Sequence, residues 1–289
     1  MTKRLQKNIA LVCVICLLGS MLCGYAAIDS DLPLEEDMVL YEKIPVCVDG
    51  DLEYSGYMID GVTYIPFRSF CGALNLGAVV TWDEENGEAV GLVDGYTLSV
   101  GAEDSYVAVN GRYFYLPTGV VNYRGNLLVP LRVLCDAFQI ELEWDQDSGL
   151  VNLVTEELQV CQSGESYYDA DDLYWLSRII NAEAGNQSIS GKVCVGNVVL
   201  NRVQDPQFPD TIYDVIFDTS YGIQFDPVRN GSIYDEPNEE SVIAAKLCLE
   251  GYELAGDSLY FVNPEIGSTN WLTQHRTFVT SIGDHDFYA

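Results

Sequence analysis

The sequence predicts an α+β protein of two domains, a β-rich repeat domain with short helices followed by a mixed helical and β domain. Three observations carry this expectation. The chain has 289 residues, enough for about two domains. Its first half consists of short runs with strand-like alternation, separated by Gly, Pro and Asn-Gly turns. Beyond residue 170, apolar residues recur instead at helical spacing. With 48% hydrophobic and 11% aromatic residues, the chain is well supplied for globular cores and is not disordered in composition.

The first segment, Met1-Thr2-Lys3-Arg4-Leu5-Gln6-Lys7, is basic. An apolar run from Ile9 to Leu18 follows, and Gly24-Tyr25-Ala26 offers small residues for cleavage after Ala26. Residues 1–26 therefore read as a secretory signal peptide, too short for a comfortable spanning helix. Retention as an uncleaved anchor is the alternative. Leu22 before Cys23 is bulkier than a lipidation site accepts. Loss of Lys3, Arg4 and Lys7 leaves 11 basic against 44 acidic residues, a net charge of −33. Such a surface repels nucleic acid and anionic lipid, so neither is an expected partner beyond the signal peptide's own contact with the membrane. The expected location is secreted or wall-associated, outside the cytoplasmic membrane. Six cysteines remain (Cys47, Cys71, Cys135, Cys161, Cys194 and Cys248). An even number permits disulfides, but spacing leaves all fifteen pairings open. With no CxxC pair among them and only His275 and His285 present, neither a metal site nor a cofactor is expected.

Residues 37–155 carry an internal repeat. Met58-Ile59-Asp60-Gly61-Val62-Thr63-Tyr64-Ile65-Pro66-Phe67-Arg68-Ser69-Phe70-Cys71 returns as Val121-Asn122-Tyr123-Arg124-Gly125-Asn126-Leu127-Leu128-Val129-Pro130-Leu131-Arg132-Val133-Leu134-Cys135. Pro66/Pro130, Arg68/Arg132 and Cys71/Cys135 are each 64 residues apart, and Trp82-Asp83 recurs as Trp144-Asp145. Each unit predicts a strand, a Gly turn, a strand ending at Pro, a short helix opened by Pro-x-Arg, and a strand bearing the Trp. Between the units, Tyr96–Val100 reads as a strand and 106–115 as two strands joined by Asn110-Gly111. The pattern resembles the copper amine oxidase-like N-terminal domain, an accessory or wall-binding module of exported bacterial proteins. Copper is not implied, because the region holds no histidine. Residues 156–170 lack a clear period and read as a linker.

The second domain is expected over 171–289. Its opening segment, 171–185, reads as a helix with Asp at its start and Gly past its last turn. Leu173, Trp175, Leu176, Ile179, Ile180 and Ala182 share half of the wheel, and Tyr174, Ser177, Arg178 and Asn181 take the other. Glu183 falls among the apolar set. Burial and the negative end of the helix dipole both raise the pKa of a carboxyl there, which general acid catalysis requires. The competing role is a structural carboxylate paired with an arginine. A helix capped by Asn186-Gln187-Ser188 follows over 189–203, apolar nearly all round. Then come a short element at 211–217, a polar loop through Asp226-Pro227 and Asn230-Gly231, and a helix over 239–251 with Val242, Ala245 and Leu249 on one face. Strands are expected at 259–261 and 278–280.

Here the chain resembles the spore cortex-lytic enzyme family of cell wall hydrolases (the SleB/CwlJ type). The matching segments are Ile180-Asn181-Ala182-Glu183-Ala184, Gly191 with 195–203, Phe208-Pro209, Ile212 to Ile216, Gln224-Phe225, Ala244-Ala245 with Gly251, 260–264, Trp271, and Ile282-Gly283-Asp284-His285-Asp286-Phe287. The resemblance implies a lysozyme-related fold and a glycosidase cutting peptidoglycan glycan strands between N-acetylmuramic acid and N-acetylglucosamine, in cell wall or spore cortex. It makes Glu183 the single acid/base of a lytic transglycosylase. A second Glu that many members carry is replaced here by Gly185-Asn186-Gln187. A hydrolytic variant would have to recruit Asp214, Asp218, Asp226 or Asp284 as its second carboxylate. Asn201, Gln224, Phe225, Tyr260, Asn263, Trp271 and His285 are the candidate substrate-binding residues, being of types that line sugar clefts. Arg202 is expected chiefly as a structural partner. The alternatives are a two-carboxylate muramidase and a non-catalytic peptidoglycan-binding scaffold.

Overall fold

Alternating apolar residues and left-handed turns build the first half of the molecule. The computed structural model describes residues 41–289 apart from 51, 76, 94, 124, 156–160, 221, 268 and 269, so the expected signal peptide lies outside the described residues. In chain order the elements are β1 (Glu42–Val48), β2 (Leu52–Ile59), β3 (Val62–Pro66), α1 (Phe67–Leu74), β4 (Val79–Asp83), β5 (Glu88–Val93), β6 (Tyr96–Gly101), β7 (Tyr106–Val109), β8 (Arg112–Tyr115), β9 (Val121–Tyr123), β10 (Asn126–Pro130), α2 (Leu131–Phe138), β11 (Glu141–Asp145) and β12 (Leu150–Val154). They form one sheet in the order β11-β12-β1-β2-β3-β10-β9 and another in the order β4-β5-β6-β7-β8. Asp60-Gly61 and Asn110-Gly111 all have positive φ, the conformation of a tight hairpin whose twist matches its strands.

Pro66 and Pro130 end β3 and β10 and begin the two short helices. A proline there costs no ladder bond that the strand needs, and its fixed φ suits a helix start. The helices pack inward through Phe67, Phe70 and Cys71 and through Leu131, Leu134, Cys135 and Phe138, joining Ile65, Leu98, Val129 and Leu153 in one core. Strand β3 pairs antiparallel with β10, setting Pro66 opposite Leu128, Ile65 opposite Val129 and Tyr64 opposite Pro130.

The second half comprises α3 (Gly164–Tyr167), α4 (Ala170–Ala184), α5 (Ile189–Gln204), α6 (Ile212–Ile216), α7 (Asp226–Asn230), a 3-10 turn (Ser232–Tyr234), α8 (Glu239–Leu249), β13 (Tyr260–Val262), α9 (Asn270–His275), β14 (Phe278–Ile282) and β15 (His285–Tyr288). Strand β15 lies between β13 and β14. Helix α4 starts at Asp169, whose carboxylate accepts the N–H groups of Asp171 and Asp172, a standard N-cap. Helix α5 starts at Ser188, which caps Gly191 N. Its Val193, Cys194, Val195, Val198 and Val199 are fully buried. Gly196 lets α4 and α8 approach: a Cβ there would lie 2.6 Å from Cys248 Sγ and 2.8 Å from Ile180 Cδ1.

Several expectations need correction. On α4, Ser177 and Arg178 are buried with Leu176, Ile179, Ile180 and Ala184, whereas Leu173, Trp175 and Ala182 of the apolar stripe are half-buried. The Arg178 guanidinium stacks 3.7 Å from the Tyr174 ring and pairs with Glu236 at 2.9 Å, so its charge is paired on the half of the wheel away from the apolar set. On α8 the buried set is Ser241, Ile243, Ala244, Ala245, Leu247 and Cys248. That helix packs against α4 and α5 on one side and β8 on another, so one apolar stripe does not describe it. The polar loop around Asp226-Pro227 contains the short helix α7, with Pro in its first turn. Helix α9 and strand β15 had no counterpart in the sequence reading. No disulfide forms among the described residues, and Cys71, Cys135, Cys161, Cys194 and Cys248 are buried thiols. Burial pushes Cys71, Cys135 and Cys194 up to about 12.

The segment read as a linker is also structured where it is described. Cys161 belongs to the first core, Asn110 Nδ2 donates to Cys161 O at 2.8 Å, and Gly164 N donates to Asn110 O at 2.9 Å. A Cβ on Gly164 would sit 2.2 Å from Gly111 O, so only glycine fits. Residues 43–289 accordingly form one compact unit around separate cores. Arg112 spans them with a two-pronged pair to Glu250 (2.8 and 2.5 Å), and Tyr168 OH donates to the same carboxylate at 2.7 Å. Tyr106, Tyr113 and Tyr115 pack onto the second core. Among the described residues, no helix is long and apolar enough to cross a membrane.

Candidate active site

Glu183 occupies the last turn of α4, one residue before its end. Helix α5 brings Arg202 beside it, the loop before α7 brings Gln224 and Phe225, α7 brings Asp226, and β13 brings Tyr260 and Phe261. With Leu272 these residues line one open cleft of about 380 Å³. That is within the roughly 300–1,000 Å³ of ordinary ligand clefts. The cleft draws on five segments far apart in sequence.

Burial pushes the Glu183 carboxyl up to about 7, Asp226 adds to the rise, and Arg202 opposes it. Glu183 is half-buried, and Phe225, Tyr260, Phe261 and Leu272 line the cleft with it. Desolvation dominates because a charged carboxylate there exchanges water for rings. Arg202 is buried. Its Nε donates to Leu259 O at 2.8 Å, and its guanidinium lies 5.0, 5.1 and 5.4 Å from the Phe208, Phe225 and Tyr260 rings. Burial pulls its pKa down to about 10, so it remains a cation at neutral pH. Its Nη1 has no hydrogen-bond partner among the described residues.

The cleft gathers Glu183, Gln224, Phe225 and Tyr260 from the sequence-derived candidates. Trp271 stands beside it, with its ring 6.0 Å from Tyr260, and is 50% exposed. Three candidates lie elsewhere. Asn201 spends its amide on Gly256 O (2.7 Å) and Ser258 O (3.0 Å) and so pins a loop. Asn263 accepts the Glu265 N–H at 3.0 Å, closing its own turn. His285 is buried behind the wall, edge-on to Phe261 with centroids 5.4 Å apart, and burial lowers its pKa. Asp284, one of the carboxylates considered for a hydrolytic role, accepts from Gln187 Nε2 at 2.8 Å. Arg202 and Asp226 are more central than the sequence reading made them. An arginine on an otherwise apolar helix was the signal available for Arg202, and Asp226 had only its carboxylate to mark it.

Residues 186–288 match the family model described as Cell Wall Hydrolase, and residues 48–153 match the Copper amine oxidase N-terminal domain. The C-terminal domain resembles the spore cortex-lytic cell wall hydrolases. The chain is 32% identical over 120 residues to the spore cortex-lytic enzyme of Oceanobacillus iheyensis, covering 42% of each protein. It is 30% identical over 120 residues to that of Bacillus subtilis, covering 42% of this chain and 38% of the relative. The chain thus spans less than half the length of these relatives. Among solved structures, the catalytic domain of the germination-specific lytic transglycosylase SleB from Bacillus anthracis is 31% identical, with 42% of this chain and 97% of that chain covered and a TM-score of 0.39. The Bacillus cereus SleB catalytic domain gives 30%, 44%, 100% and 0.38. Glu183 lies just outside the span of the family match, so its role is argued from the cleft.

Proposed function

We propose that this chain is an exported peptidoglycan-cleaving glycosidase, a lytic transglycosylase with Glu183 as its single acid/base. The observation that carries the reading is a carboxyl raised to about 7 in a cleft that it lines together with Phe225, Tyr260 and Phe261. Such a group is substantially protonated at neutral pH, where an ordinary glutamic acid has already ionised. It donates its proton to the glycosidic oxygen as the bond from the muramic C1 breaks. The carboxylate then takes the proton of the muramic 6-hydroxyl as that oxygen closes on C1. No water is consumed, and the acid is regenerated. Arg202 sits where its charge steadies Glu183 once it is ionised, and Tyr260, Phe225 and Gln224 form the wall against which a sugar ring would rest.

The name of the curated relatives, spore cortex-lytic enzyme, favours cortex or wall peptidoglycan as the substrate. We assign residues 171–289 to the catalytic domain, 37–155 to the accessory domain, and the leader at 1–26 to export across the cytoplasmic membrane. One observation supports a second reading. Asp226 lines the same cleft and acts electrostatically on Glu183, as the base of a water-activating hydrolase would.

Mass spectrometry of soluble fragments from cortex and from vegetative sacculi tests both. Glu183→Gln abolishes release in either mechanism. Fragments ending in 1,6-anhydromuramic acid support the transglycosylase, and reducing ends that disappear with Asp226→Asn support the hydrolase. Binding to sacculi without any fragments would leave a scaffold.

A further inference from the structure

Five residue types recur in the two halves of the N-terminal domain, and three of them have work inside the fold. Pro66 and Pro130 begin the short helices, and Cys71 and Cys135 are buried in the core. Asp83 accepts the N–H groups of Glu85 and Asn86, and Asp145 that of Asp147, so both hold hairpin turns. The arginine and the tryptophan have no such role. Arg68 and Arg132 are exposed and form no ion pair among the described residues, whereas Arg112, Arg178, Lys192 and Arg229 do. Trp82 and Trp144 are 53% and 46% exposed, each on a strand at the edge of its sheet.

Each arginine lies with its tryptophan in a groove. One groove, of about 230 Å³, combines Pro66, Phe67, Arg68 and Trp82 with Gly125 and Asn126. The other, of about 410 Å³, combines Pro130, Leu131, Arg132 and Trp144 with Gly61 and Val62. Most of the lining corresponds between the two grooves, although Thr81 lines only the first and Met58, Pro117, Thr118 and Val133 only the second. Each takes its Pro-x-Arg and Trp from one half and its hairpin turn from the other. The exchange follows from the pairing of β3 with β10, where Ile65 faces Val129, its own counterpart 64 residues on. An antiparallel ladder that pairs a residue with its equivalent has a local two-fold axis at that pair. Among the described residues no carboxylate lines either groove, in a chain with 44 acidic residues.

We propose that these are two equivalent binding grooves for an acidic polysaccharide, with a sugar ring on each indole and a sugar carboxylate on each guanidinium. The C–H face of a sugar ring is flat and apolar, which suits an exposed indole with a free rim for hydroxyls. The planar fork of arginine matches a carboxylate, and an uncancelled cation on a strongly acidic surface selects for an anion locally. Taking the polysaccharide to be peptidoglycan glycan strands freed of their stem peptides, whose lactyl carboxylates are otherwise held in amide bonds, rests on the reading of the cleft. A two-fold axis reverses direction, so the grooves hold strands of opposite polarity, and two weak sites acting together retain the protein where such peptide-free strands occur.

The test uses the full chain carrying Glu183→Gln, so that the probe is not cut. The probe is peptidoglycan glycan strands stripped of stem peptides by an amidase, which exposes the lactyl carboxylates, and chitin oligosaccharide is the neutral comparison. Calorimetry is expected to find two sites that disappear one at a time in Trp82→Ala and Trp144→Ala and together in the double variant, with circular dichroism unchanged. Val79→Ala, on the same strand outside the groove, keeps both. Arg68→Gln with Arg132→Gln weakens binding of the acidic strands roughly tenfold or more and leaves chitin binding as it was. Unchanged binding in the double tryptophan variant, or binding only to strands that keep their peptides, overturns the proposal. If wild type fails to cut sacculi while tryptophan-dependent binding persists, the cleft reading has failed and the grooves stand.

Discussion

Glu183→Gln should stabilise the folded protein while abolishing cleavage, and the stabilisation should depend on pH. The native carboxyl titrates at about 7 against an ordinary value of 4.5. Below pH 4.5 both folded and unfolded chains hold the proton, and the site costs nothing extra. Between 4.5 and 7 the native state holds more protons than the unfolded one, so stability falls as pH rises. Above 7 the cleft must hold a carboxylate that the unfolded chain would solvate. At 1.36 kcal/mol per pKa unit the accumulated cost is about 3 kcal/mol at most, lessened by whatever water the open cleft admits. Glutamine keeps the shape and never ionises. Urea denaturation should therefore give matching midpoints for variant and wild type near pH 4.5, and a higher midpoint for the variant at pH 8. Equal midpoints at both pH values would refute the claim that burial holds this acid protonated.

Other expectations follow from single contacts. Arg202→Met removes the cation that opposes the rise of the Glu183 pKa, so the alkaline limb of the pH–rate profile should move upward. A limb that stays or moves down would mean that the two groups are not coupled. Glu250 is 3% exposed and takes both prongs of Arg112; breaking such a pair from one side costs roughly 3–5 kcal/mol. Glu250→Gln should lower the urea midpoint accordingly, and a surface-like loss would argue that the interface is open. Gly196→Ala places a methyl against Cys248 and Ile180, where overpacking costs roughly 1–3 kcal/mol; thermal unfolding would detect it.

Local chemistry was legible in the chain. The Asn110-Gly111 hairpin, the strand–Pro–helix units and the start of α5 depend on a few neighbouring residues, whose φ preferences and capping groups act wherever the segment is placed. Glu183 was legible for the same reason: a carboxylate among apolar positions on a helix already carries its conflict with burial. Packing decided the rest. Asn201 and Asn263 have side chains suited to a sugar, but the carbonyls of Gly256 and Ser258 and the N–H of Glu265 already use those amides. Only the fold reveals the partners of Asn201, more than fifty residues away, whereas that of Asn263 lies in its own turn. Arg178 is buried with its guanidinium over Tyr174 of its own helix and paired with Glu236 from another segment, and a helical wheel does not see the second of these. Composition and periodicity determined the long helices, most strands of the first half and which carboxyl conflicts with burial, but not the short helices at 226–230 and 270–275 or the strand at 285–288. Tertiary packing alone set Asp226, Arg202 and Tyr260 around that carboxyl, because electrostatics and desolvation act through distance in space, which sequence spacing does not measure.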